Sequence, residues 1–276
     1  GHKCYWLNRS GTKEDGVAIV VRSVNPTSGV TVRALRRADV AFNSFGKRVA
    51  LALLLEVLSK GAPAAAARRV VVCTTHLTFP HSAFDEKLRF TQAALLAELT
   101  SRVAKSDGAF DARLSARDAL RAAGVAGPCS DGAVGTVSCT TVCGDDSGGA
   151  AEVDRRASAA ATTVPTIIAG DLNGEFDDPA LQLLCSGGAG SCQYRSAFSA
   201  VHGRESSPTH CSHRGDHVAV DFALLKGEIR AVAARVLQSG SCDARGVLRR
   251  PPVEVDGSGG DVYESDHVAL RFEFEL

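Results

Sequence analysis

The chain has 276 residues, 45% of them hydrophobic, and its formal net charge at pH 7 is zero. This composition excludes an intrinsically disordered chain, and the neutral balance lends no support to a strongly basic nucleic-acid-binding domain. No run of about 18 or more apolar residues occurs, so we expect no membrane-spanning helix.

Residues 16–22 are continuous and β-branched, which predicts a central strand, and residues 30–41 predict a strand with a loop. Residues 47–58 carry leucines that would also fill a helix, but their apolar side chains alternate, and we predict a strand. A turn containing glycine and proline separates this segment from residues 69–75. The two segments are therefore expected to form a hairpin.

Residues 85–103 place leucines and a valine on one stripe and acidic residues in the first turn, which predicts an amphipathic helix. Residues 104–163 are rich in Ala, Gly, Ser and Asp. We predict there a low-complexity surface insertion, with a helical piece near 111–123, in a single domain that spans residues 1–276.

The last third of the chain predicts short strands separated by loops. Residues 165–170 suit a short buried strand, and Asp177-Asp178-Pro179 predicts the start of a helix with a capping carboxylate. Strict alternation over residues 268–276 predicts a half-buried strand. We interpret residues 186–216 and 239–261 as loops, residues 217–225 as a strand and residues 229–237 as its partner strand. Strands that outnumber the helices between them predict a layered α/β domain with mixed sheets.

The nine cysteines are an odd number at irregular spacing, which favours reduced thiols and an intracellular protein, cytoplasmic or organellar. Cys139 and Cys143 have no matching second pair of ligands, so a structural zinc site is not expected. Methionine is absent. Because translation begins with methionine, we interpret the chain as a processed form, a fragment or an incomplete gene model.

Asp171 and Asn173 directly follow the predicted strand at 165–170, and Gly170 allows the backbone to turn or to be approached closely. Two residues apart on an extended segment, their side chains would point to the same side. A carboxylate and an amide oxygen placed together suit a hard cation such as Mg²⁺. The alternative interpretation is an Asx-rich turn after a core strand.

Three further polar positions lie at or beside predicted strands. Asp221 lies within an apolar strand, where a carboxylate must be paired or bind a metal. His76 ends a strand, although it could be an edge histidine satisfied by its neighbours. Asp266 and His267 precede the last strand, although they could form a simple turn.

Four short motifs carry these residues in order: Thr75-His76-Leu77, Gly170-Asp171-Leu172-Asn173, Val220-Asp221-Phe222 and Ser265-Asp266-His267. In this order, each on its predicted element, they resemble the signature of the endonuclease/exonuclease/phosphatase superfamily, which has the fold of deoxyribonuclease I. Residues 16–19 resemble the early strand of that family, and Arg89-x-x-Gln92 resembles the helix after its histidine strand. The resemblance covers residues 12–103, 164–226 and 262–276.

The resemblance implies a four-layered α/β sandwich of two packed mixed β-sheets flanked by helices. Residues 77–81 and 212–215 resemble plant and algal members related to carbon-catabolite-repressor-type deadenylases and nocturnin. Family members carry an Asn and a metal-binding Glu upstream of the strand that begins here at residue 16, and Glu14 is too close to that strand to serve. We therefore expect this chain to be N-terminally incomplete and to lack the first strands of the fold.

The resemblance also implies roles for the site residues. His267 would be the general base that takes a proton from the attacking water, and Asp221 would orient it. His76 would donate a hydrogen bond to a non-bridging phosphate oxygen. Asp171 and Asn173 would position the water and the phosphate.

The same resemblance implies a metal and a substrate loop. Asp171, Asn173 and Asp266 would hold Mg²⁺, with Mn²⁺ as the alternative, and the metal would spread the charge that develops on the phosphoryl oxygens. His213 and Arg214 lie in a plausible substrate-binding loop, for which a solvated surface role is the alternative.

Together these features predict a Mg²⁺-dependent phosphodiesterase that hydrolyses RNA or a nucleotide-type substrate with histidine-activated water. The motifs specify the phosphate chemistry and not the group attached to it, so a phosphoinositide phosphatase or a sphingomyelinase stays open. A non-catalytic binding module of the same fold stays open as well. We expect a monomer.

Overall fold

The structure, a computed structural model, describes residues 1–9, 15–42, 47–105, 110–122, 134–141, 164–186, 193–206, 208–211, 217–237 and 267–276. Its strands are, in chain order, β1 (His2–Asn8), β2 (Gly16–Arg22), β3 (Thr31–Phe42), β4 (Arg48–Leu58), β5 (Arg68–His76), β6 (Phe110–Ser115), β7 (Val134–Thr141), β8 (Thr166–Asp171), β9 (Arg195–Ser196), β10 (His210–Cys211), β11 (His217–Val218), β12 (Asp221–Lys226), β13 (Arg230–Leu237) and β14 (Ala269–Glu275). Its α-helices are α1 (Ala83–Lys105), α2 (Ala116–Ala122), α3 (Pro179–Ser186) and α4 (Ala197–His202). None of the helices in these ranges combines the length and the hydrophobicity needed to cross a membrane.

Eight strands form the main sheet in the order β6-β7-β3-β4-β5-β8-β12-β9. The sheet is mixed, because β5 and β8 run parallel while the other neighbouring pairs run antiparallel. The predicted strand at residues 47–58 is confirmed as β4, and it forms the predicted hairpin with β5. Its leucines face two separate cores, one on each side of the sheet. A strand buried on both faces carries apolar residues throughout, and this explains why its sequence also suits a helix.

Helices α1, α2 and α3 cover one face of the main sheet and enclose the first core. The predicted helix at residues 85–103 is confirmed as α1, and its predicted apolar stripe is buried: Leu88, Leu95, Leu99 and Val103. The predicted capping carboxylate of α3 is also confirmed, because Oδ1 of Asp178 accepts a hydrogen bond from the backbone N–H of Ala180 at 2.8 Å.

The opposite face of the main sheet is covered by two two-stranded antiparallel sheets, β1-β2 and β13-β14, and by α4, which together enclose the second core. The predicted half-buried strand at the end of the chain is confirmed as β14, where partly buried residues alternate with exposed ones. Among the described residues, the order of layers is therefore helices, main sheet and a second β layer. The predicted α/β sandwich with a mixed sheet flanked by helices is confirmed, but the described second β layer consists of antiparallel pairs and not of a second mixed sheet.

Two strand predictions need correction. Residues 16–22 form a strand, but it is not central, because β2 pairs with β1 in the outer layer. Its apolar run is continuous although only one face meets the core, and Val20 on the other face is 61% exposed. Residues 229–237 do form a strand, β13, whose partner is β14. Strand β1 was not predicted.

Residues 104–163 were predicted to form a surface insertion, but their described part belongs largely to the main sheet. Strand β7 pairs with β3 on one side and with β6 on the other. The predicted helical piece is found as α2, and β6 precedes it. An edge of a sheet can be extended through backbone hydrogen bonds alone, so strands there need only a weak hydrophobic pattern. The remainder of this segment lies outside the described residues.

Residues 186–216 were predicted to be a loop and contain short elements instead. Helix α4 begins after Ser196, whose hydroxyl accepts a hydrogen bond from the N–H of Ser199 at 3.2 Å, and ends at Gly203 in the left-handed conformation. A helix of six residues gives no periodic pattern that a sequence reading can detect. The predicted loop at 239–261 lies outside the described residues.

Candidate active site

Three polar side chains of the predicted site lie in one row across neighbouring strands of the main sheet. His76 ends β5, Asp171 ends β8 and Asp221 begins β12. In the register of the sheet, Asp171 is opposite His76 on one side and opposite Asp221 on the other. Because β12 runs antiparallel to the other two strands, its first residue lies at the same end of the strands as their last residues.

Gly170 makes the close approach of β5 and β8 possible at this edge. A Cβ atom on Gly170 would lie 2.2 Å from the backbone oxygen of Thr75, which leaves no room for a side chain. The predicted close approach at Gly170 is thus confirmed.

His267 joins the row from the segment that leads into β14. Its Nδ1 atom lies 2.7 Å from Oδ2 of Asp221, so the ring N–H donates a short hydrogen bond to the carboxylate. With the proton on Nδ1, a neutral imidazole has Nε2 as its acceptor. This Nε2 atom lies 3.8 Å from Oδ2 of Asp171, too far for a direct hydrogen bond. His267 is therefore held in one tautomer, with its acceptor atom facing a second carboxylate.

The carboxyl group of Asp171 lies between the two histidines. Burial, together with the nearby negative charge of Asp221, raises the pKa of Asp171 from 3.8 to about 6. Its Oδ2 atom lies 3.2 Å from Nε2 of His76. Burial, followed by the positive charges of Arg48 and Arg9, lowers the pKa of His76 from 6.5 to about 4. The His76 imidazole is therefore neutral at pH 7.

Asn173 lies in a turn after β8 and not on the strand. Its backbone has a φ of 52°, and its N–H donates to Oδ1 of Asp171 at 2.9 Å. The expectation that the two side chains share one side of an extended segment is wrong, because the strand ends at Asp171. The alternative interpretation, an Asx turn, is confirmed. The side-chain amide donates to the backbone oxygen of Leu77 at 2.8 Å, which leaves the amide oxygen for a ligand.

Two polar side chains of α1 hold the segments that carry these residues. Arg89 is buried and donates to the backbone oxygen of Asn173 and to the carboxylate of Asp178. Gln92 is also buried; it accepts from the backbone N–H of Thr78 at 3.0 Å and donates to the Thr78 hydroxyl at 2.9 Å. The pair that resembles the helix motif of the family thus braces the segments after β5 and β8.

Replacing Arg89 with alanine is expected to lower the free energy of unfolding by about 3–5 kcal/mol, because the mostly buried carboxylate of Asp178 loses its charged partner. Arg102→Ala on the same helix is the control. Its pair with Glu98 is partly exposed, and such pairs contribute at most about 1 kcal/mol. Urea denaturation of both variants measures the difference, and equal losses would contradict the bracing role of Arg89.

Arg48 and Thr209 also lie at this site, and neither was predicted. Arg48 begins β4, next to the strand of His76, and its positive charge attracts Asp171. Its Nη1 atom is buried without a hydrogen-bond partner among the described residues. Thr209 accepts a hydrogen bond from the backbone N–H of Asp221 at 3.1 Å. Neither residue belongs to a motif, so only the strand order, which the sequence does not specify, brings them here.

The structure tests a metal site only in part, because Asp266 lies outside the described residues, as do His213 and Arg214. In the part of the chain that the structure describes, no three His, Cys, Asp or Glu side chains converge on a possible metal position. Asp171 and Asn173 do offer two oxygen donors. Burial first, and then the charge of Asp221, raises the pKa of Asp171 and so disfavours its ionised form, which a bound cation would stabilise. These oxygen donors are of the kind that Mg²⁺ prefers.

A cavity of about 380 Å³ lies against the histidine–carboxylate pair. Asp221 and His267 form part of its wall, and the rest consists of backbone and apolar side chains from β8, β12 and the C-terminal segment, including Phe222 and Phe272. A small molecule can therefore approach the pair from this side.

No protein-family model matches the chain, and no curated protein matches it either. Solved structures do match. The catalytic domain of human Nocturnin with a bound sulfate anion is 14% identical, with a TM-score of 0.53, over 100% of this chain and 72% of that one. ANGEL2, a 2′,3′-cyclic phosphatase in complex with adenosine-2′,3′-vanadate, is 16% identical, with a TM-score of 0.51, over 85% and 65% of the two chains. An endonuclease/exonuclease/phosphatase from Bacteroides vulgatus is 12% identical, with a TM-score of 0.51, over 100% and 76%.

These comparisons show the fold. The chain has the α/β sandwich of the endonuclease/exonuclease/phosphatase proteins, as its four motifs predicted, and the predicted similarity to nocturnin is confirmed at the level of the fold. The chain spans between 65% and 76% of the length of these three structures.

Proposed function

We propose that the protein hydrolyses phosphate esters and, more specifically, that it is a Mg²⁺-dependent phosphodiesterase acting on RNA or a nucleotide-type substrate. One observation carries this proposal: Nδ1 of His267 is hydrogen-bonded to Asp221 at 2.7 Å while Nε2 faces Asp171 across 3.8 Å. A histidine held in this way has the orienting partner and the acceptor atom that a general base needs.

The attacking water would lie to one side of the line that joins Nε2 of His267 to Oδ2 of Asp171, about 2.8 Å from each, because two atoms at this separation can share one water as a hydrogen-bond partner. As the water oxygen bonds to phosphorus, its proton passes to Nε2, and Asp221 stabilises the imidazolium. The ester P–O bond breaks, and the leaving oxygen takes the electron pair and then a proton from solvent water. The imidazolium of His267 releases its proton to solvent, which restores the base. The products are an alcohol and a phosphate with one ester bond fewer.

His76 would stabilise the phosphate during this step. Because its pKa is lowered to about 4, the ring is neutral at pH 7 and keeps one N–H to donate. Its Nε2 atom, beside Asp171, would donate to a non-bridging phosphate oxygen. Removing one donor of this kind typically costs about 10²–10³ in rate.

Asp171, Asn173 and Asp266 would hold Mg²⁺ or Mn²⁺. A bound divalent ion supplies positive charge that stabilises the phosphoryl oxygens. His213 and Arg214 are proposed to contact the substrate. The raised pKa of Asp171 supports a cation at that carboxylate.

The nucleotide-type substrate is supported by the structures that share the fold. The ANGEL2 structure holds adenosine-2′,3′-vanadate, and the Nocturnin structure holds a sulfate anion. Both ligands are tetrahedral or higher-coordinate oxyanions, and one carries a nucleoside. The nucleoside in the ANGEL2 structure is therefore the support, by analogy of fold, for a nucleotide-type substrate here.

Hydrolysis of poly(A) RNA or of a nucleoside 2′,3′-cyclic phosphate by the purified protein, with Mg²⁺ present, is the expected result. EDTA is expected to abolish it, and added Mg²⁺ or Mn²⁺ to restore it, because the metal neutralises charge at Asp171. The same assay includes an inositol phosphate and sphingomyelin. Hydrolysis of only these two would assign one of the alternative enzymes. Hydrolysis that ignores EDTA would contradict the metal, and no hydrolysis at all would favour the binding module.

The proposal includes an intracellular, cytoplasmic or organellar monomer. The odd number and irregular spacing of the nine cysteines support a reducing compartment. Burial raises the pKa of the Cys73 thiol, which keeps it unreactive. Light scattering coupled to size-exclusion chromatography measures the oligomeric state.

A further inference from the structure

A short segment beside the histidine–carboxylate pair has no assigned role. Thr209, directly before β10, is fully buried. Its hydroxyl oxygen accepts hydrogen bonds from two successive backbone N–H groups, that of Val220 at 3.2 Å and that of Asp221 at 3.1 Å. The first residue of β12, Asp221, and the residue before it are thus fixed by this one side chain.

The backbone of Thr209 is tied to both sides of the same pair. Its N–H donates to the oxygen of Val218 at 3.0 Å, and its own oxygen accepts from the N–H of Val268 at 2.7 Å. Val268 directly follows His267. One residue therefore contacts Asp221 through its side chain and the neighbour of His267 through its backbone.

The next residue, His210, extends this link to the ring of His267. The two residues form an isolated antiparallel bridge, and their ring centroids lie 4.4 Å apart with the planes inclined by 35°. The His267 imidazole is thus flanked by a second ring while its Nδ1 atom is bonded to Asp221. Rotation about the side-chain bonds of His267 is restricted from both sides.

Such a link matters because Asp221 and His267 belong to different layers. Asp221 lies in the main sheet, whereas His267 precedes β14, which pairs with β13 in the second β layer. Catalytic groups need placement within about 0.5 Å to act together. Thr209 makes hydrogen bonds to the backbones of both segments.

We propose that Thr209 is a positioning residue that sets the distance between Asp221 and His267. Its side chain fixes the backbone of Asp221, and its backbone oxygen fixes Val268, the residue after His267. This inference rests on the proposed function, in which His267 acts as the base. The Thr209 hydroxyl accepts two hydrogen bonds and is fully buried, so it acts on the substrate only through the pair that it positions.

The test replaces Thr209 with valine, which keeps the shape and removes the hydroxyl. We expect kcat on a phosphodiester to fall about 10- to 100-fold, the effect of a small misplacement, with KM little changed. Thr209→Ser, which keeps the oxygen, is expected to recover most of the rate. If the valine variant does not fold, Thr209→Ala removes the same hydroxyl without added crowding and is measured instead.

Thr100→Val is the matched control. Thr100 is also fully buried, and its hydroxyl bonds to the backbone oxygen of Leu96 and to the hydroxyl of Tyr194, far along α1 from the site. Both valine variants lose stability, but only Thr209→Val is expected to lose turnover when rates are compared at equal folded protein. Equal turnover of the two variants would overturn the inference.

A double-mutant cycle with Asp221→Asn separates positioning from general damage. If Thr209 acts through the Asp221–His267 pair, Thr209→Val lowers the rate little further in a protein that already carries Asp221→Asn, because that substitution has already disrupted the pair. Losses of activation free energy that add fully in the double variant would overturn the inference. The two failures are distinguishable. An active His267→Gln variant would reject the proposed function, while an inactive one with additive losses at Thr209 would reject only the role of Thr209.

Discussion

Turnover of a phosphodiester will fall by about 10²- to 10⁴-fold when His267 is replaced by glutamine, the range over which general bases act. Glutamine keeps a polar side chain of comparable length but accepts no proton near pH 7. The measurement is kcat with Mg²⁺ present, on protein whose fold is checked by circular dichroism. His202→Gln is the control, because that histidine bonds to the backbone oxygen of Ala234 at 2.8 Å, away from the site. Equal turnover of the two variants would remove His267 as the base.

Replacing Asp221 with asparagine is also expected to lower turnover, because it impairs the same proton transfer to His267. Asparagine at this position would present an N–H to Nδ1 of His267, so the ring proton would move to Nε2, the atom that has to accept. His267→Gln combined with Asp221→Asn should therefore be about as slow as the slower single variant, because both act on one proton transfer. Multiplying losses would show that the two residues act independently.

Replacing Asp171 with asparagine will stabilise the metal-free protein and abolish hydrolysis. The carboxyl is mostly buried and its pKa is raised from 3.8 to about 6, so its ionised form costs folding free energy at pH 8. A pKa difference of this size corresponds to at most about 3 kcal/mol, and we expect a gain of about 1–3 kcal/mol. The amide oxygen of asparagine can still accept the hydrogen bond from the N–H of Asn173.

The gain in stability from Asp171→Asn is expected to be large at high pH and to disappear at low pH. For a carboxyl whose pKa is higher in the folded protein, the cost is full above about pH 6 and vanishes below 3.8. His76 acts in the opposite sense, because its lowered pKa makes the folded protein lose stability as the pH falls from 6.5 towards 4. The two effects oppose one another in the parent protein. Asp171→Asn removes only the first, so the variant will lose stability more steeply on acidification.

Thermal unfolding in EDTA between about pH 4 and 8 measures this difference. Added Mg²⁺ gives a second readout, since it should raise the Tm of the parent and leave that of Asp171→Asn unchanged, because binding to the folded state requires the carboxylate. An asparagine variant less stable than the parent at pH 8 would contradict the dominance of burial at Asp171.

Much of the fold could be predicted because local pattern and tertiary environment agree. Strand β14 alternates in sequence and lies half-buried at the edge of the second layer. The predicted apolar stripe of helix α1 is buried in the first core, although residues 92–97 of the helix are buried on every side. In both cases the periodicity matches a buried face.

Other elements could not be predicted because their environment depends on distant parts of the chain. The apolar run of β2 is typical of a central strand, yet β2 lies in the outer layer and exposes Val20. Strands β6 and β7 have a weak pattern and are held at the edge of the main sheet by backbone pairing. Their low-complexity sequence alone does not predict strands, which form because β7 pairs with β3.

The candidate site divides in the same way. His76, Asp171, Asp221 and His267 are brought together, as their motifs implied, because each lies at or beside the end of a strand. Their catalytic roles stay predictions. Thr209 could not be found from the sequence, since its importance depends on hydrogen bonds between segments whose proximity no local pattern encodes.

The most direct test of the hydrolytic site is a crystal structure of the protein with bound orthovanadate, which mimics a phosphoryl group in transfer. We predict vanadate oxygens within hydrogen-bond distance of Nε2 of His76 and Nε2 of His267, with Nδ1 of His267 still bonded to Asp221. Vanadate bound elsewhere, with the His267 ring turned away from both Asp171 and Asp221, would contradict the site and the function derived from it.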